Sequence, residues 1–134
     1  MPFVLHPQLQ ADCYVLGDLG DCTLLLHKNA LLPWFILVPH TTKNELYKLE
    51  AELQTSVQNS THILAEFVES NFKADKLNIA TIGNIVPQLH IHIIGRFNND
   101  FCWPAPVWGQ TASADYTKDN LQVIKQALTD KKII

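Results

Sequence analysis

The chain is 134 residues long, which suits one domain (1–134) around one core; with 47% hydrophobic and 17% charged residues, its composition excludes a disordered chain. The formal net charge is −3, Arg96 is the lone arginine, and Lys131-Lys132 is the only basic cluster. That balance excludes a general binder of nucleic acid polymers, which needs many lysine and arginine contacts to phosphate.

The N-terminus, Met1-Pro2-Phe3-Val4-Leu5-His6-Pro7, has neither a basic start nor a long apolar run, so no signal peptide is expected. A first strand is predicted over 12–19, closed by the turn residues Asp18-Leu19-Gly20-Asp21. Residues 22–28 read as a second strand, and 34–39 (Trp-Phe-Ile-Leu-Val-Pro) as a third, rich in aromatic and β-branched side chains. Thr42-Lys43-Asn44-Glu45 matches a capping box. Leu46, Leu49, Leu53, Val57, Ser60, Leu64 and Phe67 then recur at helical spacing, which predicts a long helix to about Asn71 with a kink near 59–61. A fourth strand is predicted over 76–82, a short connection over 83–87, and a fifth strand from Gln88. Pro104 and Pro106 predict an irregular loop over 98–114 that carries Trp103 and Trp108. A final amphipathic helix is predicted over 115–130, with Leu121, Ile124 and Leu128 on its apolar face. Close successive strands favour antiparallel pairing. The expected fold is α+β: a single antiparallel sheet of about five strands, with a long helix and a C-terminal helix on one face.

No apolar stretch approaches the roughly 20 residues of a membrane span. Cys13, Cys22 and Cys102 are odd in number and in no CxxC spacing, which argues against a disulfide framework and a cysteine-rich zinc site. Reduced, buried thiols and a cytoplasmic location are expected.

The fifth strand, Gln88-Leu89-His90-Ile91-His92-Ile93, carries the chemistry. It alternates polar and apolar, so Gln88, His90 and His92 share one face and Leu89, Ile91 and Ile93 the other. Three readings of the histidines compete. They are two strand histidines without a task, or two ligands of a metal site, or a nucleophile and its partner. A metal site needs a third ligand, and neither HxHxD nor HExxH is present. No metal and no cofactor are therefore expected. An imidazole attacking phosphorus needs its other nitrogen held by an acceptor, and donors near the phosphoryl oxygens.

Gly83 through Arg96 resembles the signature of the histidine triad (HIT) superfamily, in which three histidines alternate with apolar residues. Leu25-Leu26-His27-Lys28 and Pro33 through Pro39 resemble the family's two central strands, and Asn44-Glu45-Leu46 falls at its long helix. The resemblance covers roughly 1–110. Pro87-Gln88-Leu89-His90 and Trp103 through Trp108 resemble a bacterial diadenosine-tetraphosphate-hydrolase-like subgroup.

The resemblance implies a hydrolase or transferase acting on the α-phosphate of a nucleoside phosphoanhydride or phosphoramidate, and a homodimer. His90 matches the nucleophile, and His92 the histidine that contacts phosphate oxygens. Gln88 replaces the first histidine, whose backbone carbonyl holds the nucleophile's other nitrogen; its amide is expected to help His92 hold phosphate. Asn84 stands where glutamine is common, either a phosphate contact or a plain turn residue. Ile85 stands in place of a phosphate-contacting hydroxyl, and Phe35 in place of a histidine. His27 lies near the nucleoside position. Trp34 borders the base pocket or belongs to the core. Trp103 and Trp108 belong to a substrate rim or a dimer contact, and Arg96 pairs with a carboxylate or serves the site. The rival reading is a nucleotide-binding module without turnover.

Overall fold

Five extended segments pair into one sheet in the computed structural model, which describes residues 3–134. They are β1 (Cys13–Leu19), β2 (Cys22–His27), β3 (Trp34–Pro39), β4 (Lys76–Ala80) and β5 (Ile91–Arg96). Their order across the sheet is β1-β2-β3-β5-β4, and every pairing is antiparallel. This is the expected α+β architecture. The β1–β2 hairpin turns at Gly20, whose φ of +58° is left-handed; a Cβ there would lie 2.6 Å from Ser60 Oγ.

Both faces of the sheet are covered. On one, Leu24, Leu26, Phe35, Leu37, Ile91 and Ile93 pack under the long helix α2 (Ala51–Phe72) and the C-terminal helix α3 (Lys118–Asp130). On the other, Leu25, Trp34, Ile36, Val38 and Ile94 meet Val86, Val107 and Leu9. Leu9 comes from a short helix, α1 (Pro7–Asp12). Central strands buried on both sides have no polar face, which is why β2 and β3 read as continuous apolar runs. Each fully buried Leu, Ile or Phe here stabilises the fold by about 1.5–3 kcal/mol.

Several boundaries differ from expectation. The capping box at Thr42 does not start a helix. Glu45 is extended, Leu46–Lys48 makes a single 3-10 turn, and α2 begins at Ala51. The chain takes this detour to drop Leu49 into the core, and Thr41 Oγ1 instead accepts from the Lys43 N–H at 3.1 Å. α2 then runs 22 residues without a break. The polar stretch 59–61 does not interrupt it because the hydroxyls of Ser60 and Thr61 are satisfied by the Leu19 and Val57 carbonyls. α1 is absent from the sequence reading, although Pro7 at its first turn is a start signal. β4 ends at Ala80, and β5 begins only at Ile91, the first residue to find a partner in β3. α3 starts at Lys118, capped by Thr117 Oγ1 accepting from Asn120 N–H at 3.1 Å.

Arg96 pairs with a carboxylate. It is 1% exposed, and its guanidinium donates to both oxygens of Asp100, at 2.8 and 3.1 Å. It also donates to Asn78 Oδ1 (2.9 Å) and the Ala105 carbonyl (2.8 Å). Burial pushes the Asp100 carboxyl up, but the Arg96 hydrogen bond, the Phe97 and Cys102 N–H groups and the Arg96 charge outweigh it and hold it at about 2. This knot pins the proline-bearing loop to the end of β5.

Candidate active site

The site lies on the sheet face opposite the long helices. Register places it there: His92 pairs with Ile36, and Trp34 with Ile94, so Trp34 and His92 are diagonal neighbours on one face. His27, the last residue of β2, stacks on Trp34 with ring centroids 4.0 Å apart and planes 9° apart. His90 sits just before β5, its ring 4.9 Å from that of His92. Trp108 arrives from the loop that Arg96 pins, edge-on to both Trp34 (6.3 Å) and His92 (5.2 Å).

Hydrogen bonds assign the protons on all three rings. His90 Nδ1 lies 2.6 Å from the Gln88 carbonyl. A carbonyl only accepts, so Nδ1 carries the hydrogen and Nε2 keeps its lone pair. The indole of Trp34 only donates, and its Nε1–H reaches His92 Nδ1 at 2.9 Å. In neutral His92 the proton is therefore on Nε2. His27 Nδ1 likewise accepts from the Asn29 N–H at 3.1 Å, which leaves Nε2–H free to donate. One imidazole is set as an electron-pair donor and two as hydrogen donors.

Burial, with the neighbouring His90 and His27 charges adding to it, holds the His92 ring down at about 3. Burial lowers His27 too, against the opposing Asp12 carboxylate. His92 is thereby a neutral donor near neutral pH, and burial biases His27 towards its neutral form too. Cys13 borders the same cleft, but burial and the Asp12 charge outweigh Lys28 and push its thiol up to about 12, so it remains protonated.

His90 and His92 are only 5% and 6% exposed, yet both line a cleft of about 460 Å³. Leu9, Ile36, Ile82, Val86 and Trp34 give it apolar walls, and Gln8, Asp12 and His27 supply polar groups. His90 also lines a smaller polar cavity of about 180 Å³, together with Asn44, Glu45, Thr81 and Asn84. The nucleophile candidate thus stands between an apolar chamber and a polar one. Among the described residues, no group of three or more His, Cys, Asp or Glu side chains is placed to hold a metal ion.

Asn84 lines both cavities, and Ile85 stands at the cleft mouth, 90% exposed. Gln88 contributes its backbone carbonyl to His90, but its side-chain amide points to the N-terminal segment: it accepts from the His6 N–H (2.8 Å) and donates to the Val4 carbonyl (2.9 Å). Trp103 is away from the cleft, over the Arg96 guanidinium at 5.5 Å. Phe35 is in the core under the helices, where it meets Phe67. Sequence reasoning missed the α1 side chains Gln8, Leu9 and Asp12, for which Pro7 was the available signal. It also missed the polar duty of the Trp34 indole.

Residues 8–99 match the HIT domain family, and the chain belongs to it. A histidine triad protein from Bradyrhizobium japonicum is 36% identical over 100% of both chains, with a TM-score of 0.95. One from Marinobacter aquaeolei VT8 is 36% identical over 100% of both chains, with a TM-score of 0.93. A third, from Sinorhizobium meliloti 1021, is 32% identical over 96% of each chain, with a TM-score of 0.91. Among curated proteins, none matches this chain significantly. No helix among the described residues is long and apolar enough to cross a membrane.

Proposed function

We propose that this chain is a nucleotide hydrolase or nucleotidyl transferase that works through a nucleotidyl-histidine intermediate on His90. The observation that carries this reading is the 2.6 Å bond from His90 Nδ1–H to the Gln88 carbonyl, which leaves Nε2 as the attacking atom. Nε2 attacks the α-phosphorus, an N–P bond forms, and the bond from phosphorus to the leaving group breaks. The leaving group takes its proton from solvent. The positive charge left on the ring is shared with the Gln88 carbonyl through Nδ1–H. His92 Nε2–H and Asn84 at the loop hold the phosphoryl oxygens, and His27 Nε2–H reaches the same cleft. Water then attacks phosphorus, the N–P bond breaks and returns its electron pair to Nε2, the water gives up a proton to solvent, and the nucleoside monophosphate leaves. An acceptor other than water makes the same intermediate a transferase.

The substrate class is a nucleoside phosphoanhydride or phosphoramidate, with a dinucleoside polyphosphate as one candidate. The apolar walls suit a base, and neutral donors suit phosphate oxygens. The unpaired thiols agree with a cytoplasmic enzyme. A homodimer is part of the proposal: β4 is an edge strand, and Ile79 on it is exposed.

The test is a set of α-labelled adenylated substrates. Acid-labile label or a nucleotidyl mass shift on His90, lost together with turnover in His90→Ala by about a thousandfold or more, supports the reading. Equal turnover by wild type and His90→Ala overturns it. Nucleotide binding without turnover by wild type on any substrate makes the chain a binding module, a reading favoured by the hydroxyl-free Ile85. Sedimentation reads the oligomeric state, and Ile79→Glu should convert a dimer to a monomer.

A further inference from the structure

Residue 88 faces two ways. Its backbone carbonyl orients the His90 ring, while its side-chain amide makes two hydrogen bonds across more than eighty residues of sequence to the backbone of Val4 and His6. Residues 4–6 lead directly into α1. His6 caps that helix, its Nδ1 accepting from the Gln8 N–H at 3.0 Å. α1 in turn presents Gln8, Leu9 and Asp12 to the cleft. Other ties on the segment are apolar or aromatic: Leu5 and Phe3 pack on the second core, and Phe3 meets the His40 ring at 4.6 Å. Such contacts are non-directional and allow sliding, whereas two paired hydrogen bonds to one planar amide set a register.

We propose that Gln88 is a positioning residue whose amide docks the N-terminal segment and thereby places the α1 wall of the cleft, against which the nucleoside half of the substrate lies. The inference rests on the reading that the cleft takes a nucleotide, and it assigns the Gln88 side chain to substrate affinity rather than to the phosphoryl step. When the amide is lost, the first turn of α1 populates displaced positions, while its far end stays tied by buried Leu9 and by the Lys28 N–H on the Asp12 carbonyl at 3.0 Å. Apparent affinity then falls by the fraction of molecules whose wall is in place. The carbonyl that holds His90 remains, so the chemical step is spared.

The test compares Gln88→Met, which keeps side-chain volume, with two changes on the other side of the contact. His6 has φ −57° and ψ 134°, angles that proline accepts, so His6→Pro removes the donating N–H without touching residue 88. His6→Ala loses the same imidazole but keeps the N–H, and is its control. Affinity for adenosine and guanosine 5′-monophosphates is read by tryptophan fluorescence, since Trp34 and Trp108 line the cleft. Amide hydrogen exchange over residues 4–12 is read alongside, and kcat and KM where a substrate turns over.

The expected result is a rise of about tenfold in Kd and KM for Gln88→Met and for His6→Pro relative to His6→Ala. In His6→Pro, kcat should stay within about twofold of its value in His6→Ala, and exchange over 4–12 should quicken in both Gln88→Met and His6→Pro. A fall in kcat at unchanged KM in Gln88→Met overturns the proposal and moves the amide to the phosphate. Equal nucleotide affinity in wild type and both variants overturns it while leaving the proposed function standing. Failure of wild type to bind either nucleotide overturns the proposed function and this inference with it.

Discussion

The indole N–H of Trp34 and Nδ1 of His92 meet at 2.9 Å in a buried hydrogen bond. This bond determines which nitrogen of His92 carries the proton, because an indole has nothing to accept with. Trp34→Phe leaves an aromatic, though smaller, ring beside His27 and removes the donor. His92 Nδ1 is then left buried without a partner, at a cost of about 1–3 kcal/mol. Its proton is also free to move to Nδ1, which turns Nε2 from donor to acceptor. Turnover should fall about tenfold or more while the fold persists. Steady-state kinetics and urea unfolding check the two effects separately.

Acid should destabilise the protein through its histidines before its carboxylates respond. His92 titrates at about 3 when folded, against 6.5 for an unperturbed ring, and His27 is shifted the same way. Above pH 6.5 the ring is neutral in both states and costs nothing. Below it the unfolded chain binds a proton that the folded chain refuses. Stability therefore falls as pH drops from 6.5 towards 3, by about 1.4 kcal/mol per unit for such a group. Asp100 acts in a lower window, from 3.8 to about 2. His92→Asn, whose side-chain oxygen still accepts from Trp34, should flatten the slope between pH 6 and 4. Urea midpoints across that range measure it.

Breaking the Arg96–Asp100 pair should cost about 3–5 kcal/mol, since either partner left alone is an uncompensated buried charge. Arg96→Met and Asp100→Leu should both unfold at much lower urea. Each should also loosen Trp108, which the pinned loop carries to the cleft. The double variant Arg96→Met/Asp100→Leu should recover part of the loss, because neither charge is then stranded. Equilibrium unfolding of the four proteins forms the cycle.

Gly95→Ala probes the seam between β5 and α2. A Cβ there would come 2.8 Å from Pro33 Cγ, 3.0 Å from Val68 Cγ1 and 3.3 Å from Ala74 Cβ. Three neighbours on three segments do not all yield, so overpacking should cost about 1–3 kcal/mol by urea unfolding.

Periodicity was enough for the scaffold. Alternation at Leu89, His90, Ile91, His92 and Ile93 separates the site face from the helix face, and the structure places Leu89, Ile91 and Ile93 in the core under the helices. Continuous apolar runs marked β2 and β3, and 3.6-residue spacing marked α2. These patterns are legible because they record how each segment meets the core, a property local sequence carries. The helix start departs from the local pattern for the same reason: a capping box at Thr42 is a local signal, and burying Leu49 is a tertiary demand that overrides it. Contacts between distant segments left no such trace. Nothing local in Gln88 says that its amide reaches Val4 and His6, and nothing in Trp34 says that its N–H meets His92. Those pairings depend on strand register and on where the N-terminal segment docks. His90 and His27 find their ring partners two residues away, at the Gln88 carbonyl and the Asn29 N–H, but the proton of His92 is decided only once the packed chain brings the Trp34 indole to it.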